Sequence, residues 1–167
     1  MDSVLIAIIT AAAKTAGVPA SLLIAICTHE SNGLNVMVPH DGGSPSYGYC
    51  QIKKETAEWL GYKGIGSGKL RRSKRFHGAM EPVGKPKGLM VAEVNALYAA
   101  KYLRKQLDKY DGEWCKATAA YNAGSYLPSK LAPGEPRNLK YVKKVVLHLP
   151  GDERDLLICG PRAVQTE

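Results

Sequence analysis

Between Pro19 and Asn32-Gly33 the chain holds one short helix, and that helix has to be buried. Leu22 to Cys27 is apolar without interruption. A helix that is hydrophobic all round belongs in a core. Gly17 stops whatever precedes it, and Pro19 suits a first helical position. Asn32-Gly33 offers the left-handed residues that end a helix. The buried run leads straight into His29-Glu30-Ser31. Burial pushes a carboxyl group toward its protonated form. A protonated Glu near neutral pH is what a general acid must be. A loop rich in Gly, Pro, Asn and Ser follows, then Ser46-Tyr47-Gly48-Tyr49-Cys50-Gln51-Ile52. Gly48 permits a close backbone approach, and Gln51 offers both donors and an acceptor.

Helical spacing recurs along the rest of the chain. Asp2 or Ser3 can cap a helix over 4–16, with Leu5, Ile8, Ile9, Ala12 and Ala16 on one face. A short helix is predicted over 53–60. Another runs over 91–110, with Ala96, Ala99, Ala100, Leu103, Leu107 and Tyr110 inward. Further helices cover 113–122 and 138–149, and 152–158 is predicted as one short turn. Residues 36–50 allow at most a small β-hairpin. The spacing therefore predicts a mostly α, single-domain protein over 1–150, followed by a polar tail over 151–167. Gly61 to Gly88 reads as a long surface insertion rich in Gly, Pro and Lys/Arg.

At 167 residues a single domain buries about 70% of its unfolded surface. The net charge is +8, and the segment from Tyr62 to Gly88 holds eight Lys/Arg against Glu81 alone. A patch of that sign favours anionic polymers. It lacks helical periodicity and interleaved aromatics, so no nucleic-acid partner is expected. His29-Glu30 lacks the second His of a zinc helix, because Gly33 takes that position. His40, His77 and His148 show no ligand spacing, so neither metal nor cofactor is expected. Cys27, Cys50, Cys115 and Cys159 form no Cys-x-x-Cys pair. Buried free thiols are the favoured reading, and a Cys27–Cys50 disulfide stays open. Val4 to Ala13 is too short to span a bilayer, and Asp2 stands where a signal peptide is positive. The expectation is a chain made in the cytoplasm without a signal peptide.

Four motifs in order carry a resemblance. They are Glu30-Ser31 with Ser46-x-Gly48-x-x-Gln51-Ile52, then Asn95 to Tyr102-Leu103, Ala119-Ala120-Tyr121-Asn122-Ala123-Gly124, and Tyr141-Val142-Lys143-Lys144-Val145. Together they resemble the lytic transglycosylase domain of the goose-type lysozyme superfamily over residues 3–149. Ala99 stands where that family has Gly, and the insertion at 61–88 is longer than the family's usual connection. The resemblance implies a lysozyme-like α+β fold around a sugar-binding cleft. It implies cleavage of the β-1,4 bond between N-acetylmuramic acid and N-acetylglucosamine in peptidoglycan, with a 1,6-anhydro product. Glu30 is the implied general acid. Ser46, Gln51, Tyr121, Asn122 and Tyr141 are the implied substrate-binding residues.

Each of these residues also has a plainer role. Ser46 and Gln51 can satisfy their own loop's backbone. Tyr121 can be a core tyrosine, and Asn122 can cap the helix end before Ala123-Gly124. Asn95 reads as a stitch between helices. Asp41 is the candidate second carboxylate of a hydrolytic alternative, which needs a base about 6.5–9.5 Å from the acid. In Asp41-Gly42-Gly43 it is equally a turn former, and Lys53 stands where the hydrolases place another acid. The expected partners are peptidoglycan glycan strands and, through the insertion, anionic envelope polymers. A monomer acting on the bacterial cell wall is expected. By analogy with such enzymes, that suits a bacteriophage endolysin or virion-associated murein enzyme.

Overall fold

The computed structural model describes residues 1–160, so residues 161–167 of the expected tail lie outside it. The described residues form six α-helices, two short 3-10 segments and five strands. They divide into two compact units, Met1–Arg104 and the chain from Lys105 onward.

In the first unit, α1 (Ser3–Ala16) begins where the Asp2 carboxylate accepts the Leu5 N–H at 2.8 Å and ends at left-handed Gly17. It buries Leu5, Ile9, Ala12 and Ala13, one stripe of an amphipathic helix. α2 (Ala20–Ser31) starts after Pro19 and ends at left-handed Asn32, as its punctuating residues predict. It buries Leu22, Leu23, Ala25, Ile26 and Cys27. Burial of Leu22, Leu23 and Ile26 stabilises the unit by about 1.5–3 kcal/mol per side chain.

A sheet follows. Its strands are β1 (Met37–Asp41), β2 (Ser44–Tyr47), β3 (Ile52–Lys53), β4 (Leu70–Arg72) and β5 (Met80–Pro82). Helix α3 (Lys54–Trp59) follows β3. The strand order is β3-β2-β1-β5-β4, with antiparallel neighbours. This corrects the expectation of at most one hairpin. The 61–88 segment is no mere loop: β4 and β5 form a second hairpin, and Met80 pairs with Met37 of β1. These strands are two to five residues long. They carry Pro39, Pro45, Pro82, Lys53, Arg71, Arg72 and Glu81. A period-2 pattern has no length over which to show itself there.

A 3-10 turn (Gly88–Met90) leads into α4 (Ala92–Lys109), and the boundary between the units falls inside this helix. Ala96, Ala99, Ala100, Leu103 and Leu107 are buried as predicted, while Tyr110 is half-exposed. The second unit contains α5 (Trp114–Ala123), α6 (Leu139–Val146) and a 3-10 segment (Gly151–Leu157). Ala117, Ala119, Ala120, Val142, Val145 and Leu157 supply its core.

The cysteines overturn the free-thiol reading. Cys27 is bonded to Cys50 and Cys115 to Cys159, leaving no free cysteine. The cause is tertiary: the fold brings Cys27 of α2 and Cys50 of the turn after β2 to a Cα separation of 4.1 Å. Each cross-link closes a loop of 23 or 44 residues. By the chain-entropy argument each stabilises the fold by about 3–4 kcal/mol.

Candidate active site

Glu30 is half-buried in the last turn of α2. Cys27 lies three residues earlier, so the two side chains share a face of the helix. The Cys27–Cys50 disulfide therefore ties the Glu30 face of α2 to the residue before Gln51. Glu30 and the glutamine turn are held together covalently, one helical turn from the carboxyl group.

The glutamine turn is itself fully braced. Ser46, 1% exposed on β2, donates its hydroxyl to Gln51 Oε1 at 2.5 Å. Gln51 Nε2 donates to the Val36 carbonyl at 2.9 Å and to the Gly48 carbonyl at 2.6 Å. Gln51 has a left-handed φ of 48°. Both amide protons are thus committed to backbone, and only one lone pair of Oε1 is left. Ser46 and Gln51 together brace the loop.

Asn95 holds the same loop from α4. Its Nδ2 donates to the Tyr47 carbonyl at 2.7 Å and the Leu89 carbonyl at 3.0 Å. Its Oδ1 accepts the Cys50 N–H at 2.8 Å. It is wholly buried. The sequence placed Asn95 between helices, whereas the structure sets it against the Tyr47–Cys50 loop. A Cβ on Gly48 would lie 2.4 Å from Asn95 Nδ2. The close approach that Gly48 permits is therefore to Asn95. Beside it, burial first and then the Asp2 carboxylate push the Tyr49 phenol above its ordinary range, so it stays a neutral donor at neutral pH.

Asp41 sits exposed in the β1–β2 turn, where it pairs with Ser44 across Gly42-Gly43. The Lys53 ammonium donates to its carbonyl at 2.5 Å. In the second unit, Tyr121 is buried on α5, and Tyr141 is half-buried on α6. Asn122 is exposed, and its Oδ1 accepts from Asn138 Nδ2 at 3.0 Å. The same Asn138 amide donates to the Ala119 carbonyl at 3.0 Å, joining α6 to α5. Gly124, not Asn122, takes the left-handed cap position. The structure thus brings Ser46 and Gln51 together and ties them to the Glu30 helix.

Among the described residues, no group of three or more His, Cys, Asp or Glu is placed to hold a metal ion. No helix among them is long and apolar enough to cross a membrane. A cavity of about 520 Å³ lies in the second unit against Trp114, Cys115 and Tyr126, and none of the predicted site residues lines it.

The transglycosylase SLT domain family matches residues 7–130. An inactive mutant of the lytic transglycosylase Slt from Pseudomonas aeruginosa aligns with a TM-score of 0.48 and 22% identity, over 90% of this chain and 22% of that one. The chain therefore spans about a fifth of that protein's length. A search of curated proteins found no match.

Proposed function

This chain belongs to the transglycosylase SLT domain family, whose enzymes are peptidoglycan lytic transglycosylases, and from that premise we propose that it cleaves wall glycan with Glu30 acting alone. Glu30 protonates the oxygen between N-acetylmuramic acid and N-acetylglucosamine. The bond from that oxygen to the muramic anomeric carbon breaks, and the sugar's acetamido group shields the positive charge. The Glu30 carboxylate then takes the proton of the muramic 6-hydroxyl. That oxygen closes on the anomeric carbon, giving a 1,6-anhydro end without consuming water. The nucleophile is tethered, so its effective concentration is high. Tyr121, Asn122 and Tyr141 are proposed to contact the glycan.

The observation that carries this reading is the brace around Glu30. The disulfide from its helix face runs to the Gln51 turn, and Ser46, Gln51 and Asn95 hold that turn rigid. A single acid in a rigid frame needs little reorganisation during the reaction. The two disulfides also suit an oxidising compartment, which fits work at the cell wall. The basic β4–β5 hairpin, with Arg72, Lys74 and Arg75 exposed, is proposed to hold anionic envelope polymers.

Mass spectrometry of digested peptidoglycan tests the reaction. Muropeptides with anhydro ends, lighter by one water and lacking a reducing end, are expected. Reducing muramic ends would overturn the proposal and make Asp41 the next residue to mutate.

A further inference from the structure

At the base of the β4–β5 hairpin two segments run side by side, 63–69 leading into β4 and 83–87 leaving β5. The Val83 N–H donates to the Lys69 carbonyl at 2.9 Å. A Cβ on Gly68 would lie 3.7 Å from the Lys85 carbonyl oxygen and from the Lys87 nitrogen. Neither segment contains Asp or Glu. Lys63, Lys69, Lys85 and Lys87 are all exposed, and none has an acidic partner among the described residues.

Two aliphatic side chains stand in water among these lysines. Ile65 is 89% exposed and Val83 46%. A lone exposed aliphatic residue is ordinary, but here the loop holds Ile65 outward. Gly64 packs closely against the Tyr62 ring, and the Gly66 carbonyl packs closely against Gly88; a Cβ at 64 or 88 would collide there. The residues on both sides of Ile65 are thus anchored, and Tyr62 is itself buried against Tyr98. Ile65 has no room to fold back, so its apolar surface is withheld from the core. That surface leaves water only against an apolar partner.

The two ends of the hairpin differ in chemistry. The turn end, with Arg72, Lys74 and Arg75, carries cations and no exposed large apolar side chain. Such a surface suits a hydrated polyanion. The base adds aliphatic side chains to its cations. A hydrated polymer offers Ile65 nothing, whereas an anionic bilayer offers both partners at once. Lipid phosphates face the ammonium groups, and the acyl boundary just beneath receives the aliphatic chains. Lysine stems can lie along that boundary while their ammonium groups stay at headgroup level.

We propose that the base of the hairpin is a docking surface for an anionic lipid membrane, with Ile65 and Val83 entering the boundary between headgroups and acyl chains and Lys63, Lys69, Lys85 and Lys87 on lipid phosphates. The contact is peripheral: no helix among the described residues is long and apolar enough to cross a membrane. Lipid binding goes beyond the cleavage of wall glycan and is independent of Glu30.

Co-sedimentation of the full chain with vesicles tests it, using phosphatidylethanolamine mixed with phosphatidylglycerol, and phosphatidylcholine alone as the neutral control. Binding to the anionic vesicles is expected to be at least about tenfold tighter than to the neutral ones. Ile65→Ser should weaken it about tenfold, through loss of the inserted apolar surface. Lys63→Gln combined with Lys69→Gln should weaken it about 20-fold, at about fivefold per lysine. Both variants should unfold like the parent, because all three positions are exposed. Ile65→Ser should leave binding to purified, lipid-free walls unchanged. No binding to the anionic vesicles, or binding that Ile65→Ser leaves intact, would overturn the proposal. Loss of wall binding rather than vesicle binding in Ile65→Ser would also overturn it, and would make the base a second contact for wall polymer.

Discussion

At Gly48 the fold leaves no space for a side chain, because a Cβ there would meet the Asn95 amide at 2.4 Å. Gly48 also has a left-handed φ of 72°, which costs an L-residue about 1–2 kcal/mol. Gly48→Ala should destabilise the protein through both effects. Asn95→Ala should cost about 2–4 kcal/mol, since it removes three hydrogen bonds and orphans buried groups of the Tyr47–Cys50 loop. The double variant should be less destabilised than the sum, because removing the Asn95 side chain opens the space that a methyl group at position 48 needs. Denaturant unfolding of the four proteins reads this directly; strict additivity would show that the two residues are not coupled. At Glu30, Glu30→Gln should leave the unfolding curve unchanged and lower peptidoglycan cleavage by at least about 100-fold, the usual worth of a general acid. Retained activity would remove Glu30 from its role.

Two elements invite tests of their own. The Cys27–Cys50 bridge joins α2 to the glutamine turn, whereas Cys115–Cys159 lies in the second unit. Replacing either pair by Ala should cost about 3–4 kcal/mol. The Cys27/Cys50 replacement should lower kcat further, because it frees the Glu30 helix face from the turn. Comparing kcat well below each variant's melting temperature separates the two effects. In the β4–β5 hairpin, Glu81 accepts from Arg71 at 3.0 Å and from Ser73 at 3.1 Å. The Arg71 bond first, and then the Ser73 bond, hold the Glu81 carboxyl below its ordinary 4.5. A carboxylate with a depressed pKa stabilises the hairpin fully above about pH 4.5, and the contribution is lost as pH falls through the folded value. Amide chemical shifts over residues 71–81 should report that transition. Glu81→Gln should abolish it, and a transition that persists would assign the titration elsewhere.

For the whole molecule, the distribution of charge matters more than its sum. The net charge is +8, and the segment from Tyr62 to Gly88 carries most of it. Binding to intact walls should weaken as salt rises, since exposed charges are screened within about 10 Å at 0.1 M. Reversing Arg72, Lys74 and Arg75 to Glu should weaken binding most at low salt, with little effect on unfolding because all three are exposed. A pull-down on purified walls across a salt series measures it. Binding that ignores both salt and the reversals would leave the hairpin a solvated edge.

The sequence by itself determined the helices and the motifs that carry the family. Asp2, Gly17, Asn32 and Gly124 act through local backbone preferences, and the buried stripes of α1 and α4 act through a period that several turns display. The four motifs identified the family, because motif spacing is a local property of the chain. Only the tertiary structure decided the rest. Strands β4 and β5 are three residues each, too short for any periodicity, and they exist because β1 offers an edge to pair with. Cys27 and Cys50 are 23 residues apart in sequence, and nothing local says that their side chains meet. The partners that Asn95 finds at Tyr47 and Cys50 are likewise backbone groups far along the chain. Local preference is written residue by residue, whereas a contact between distant residues depends on every element packed between them.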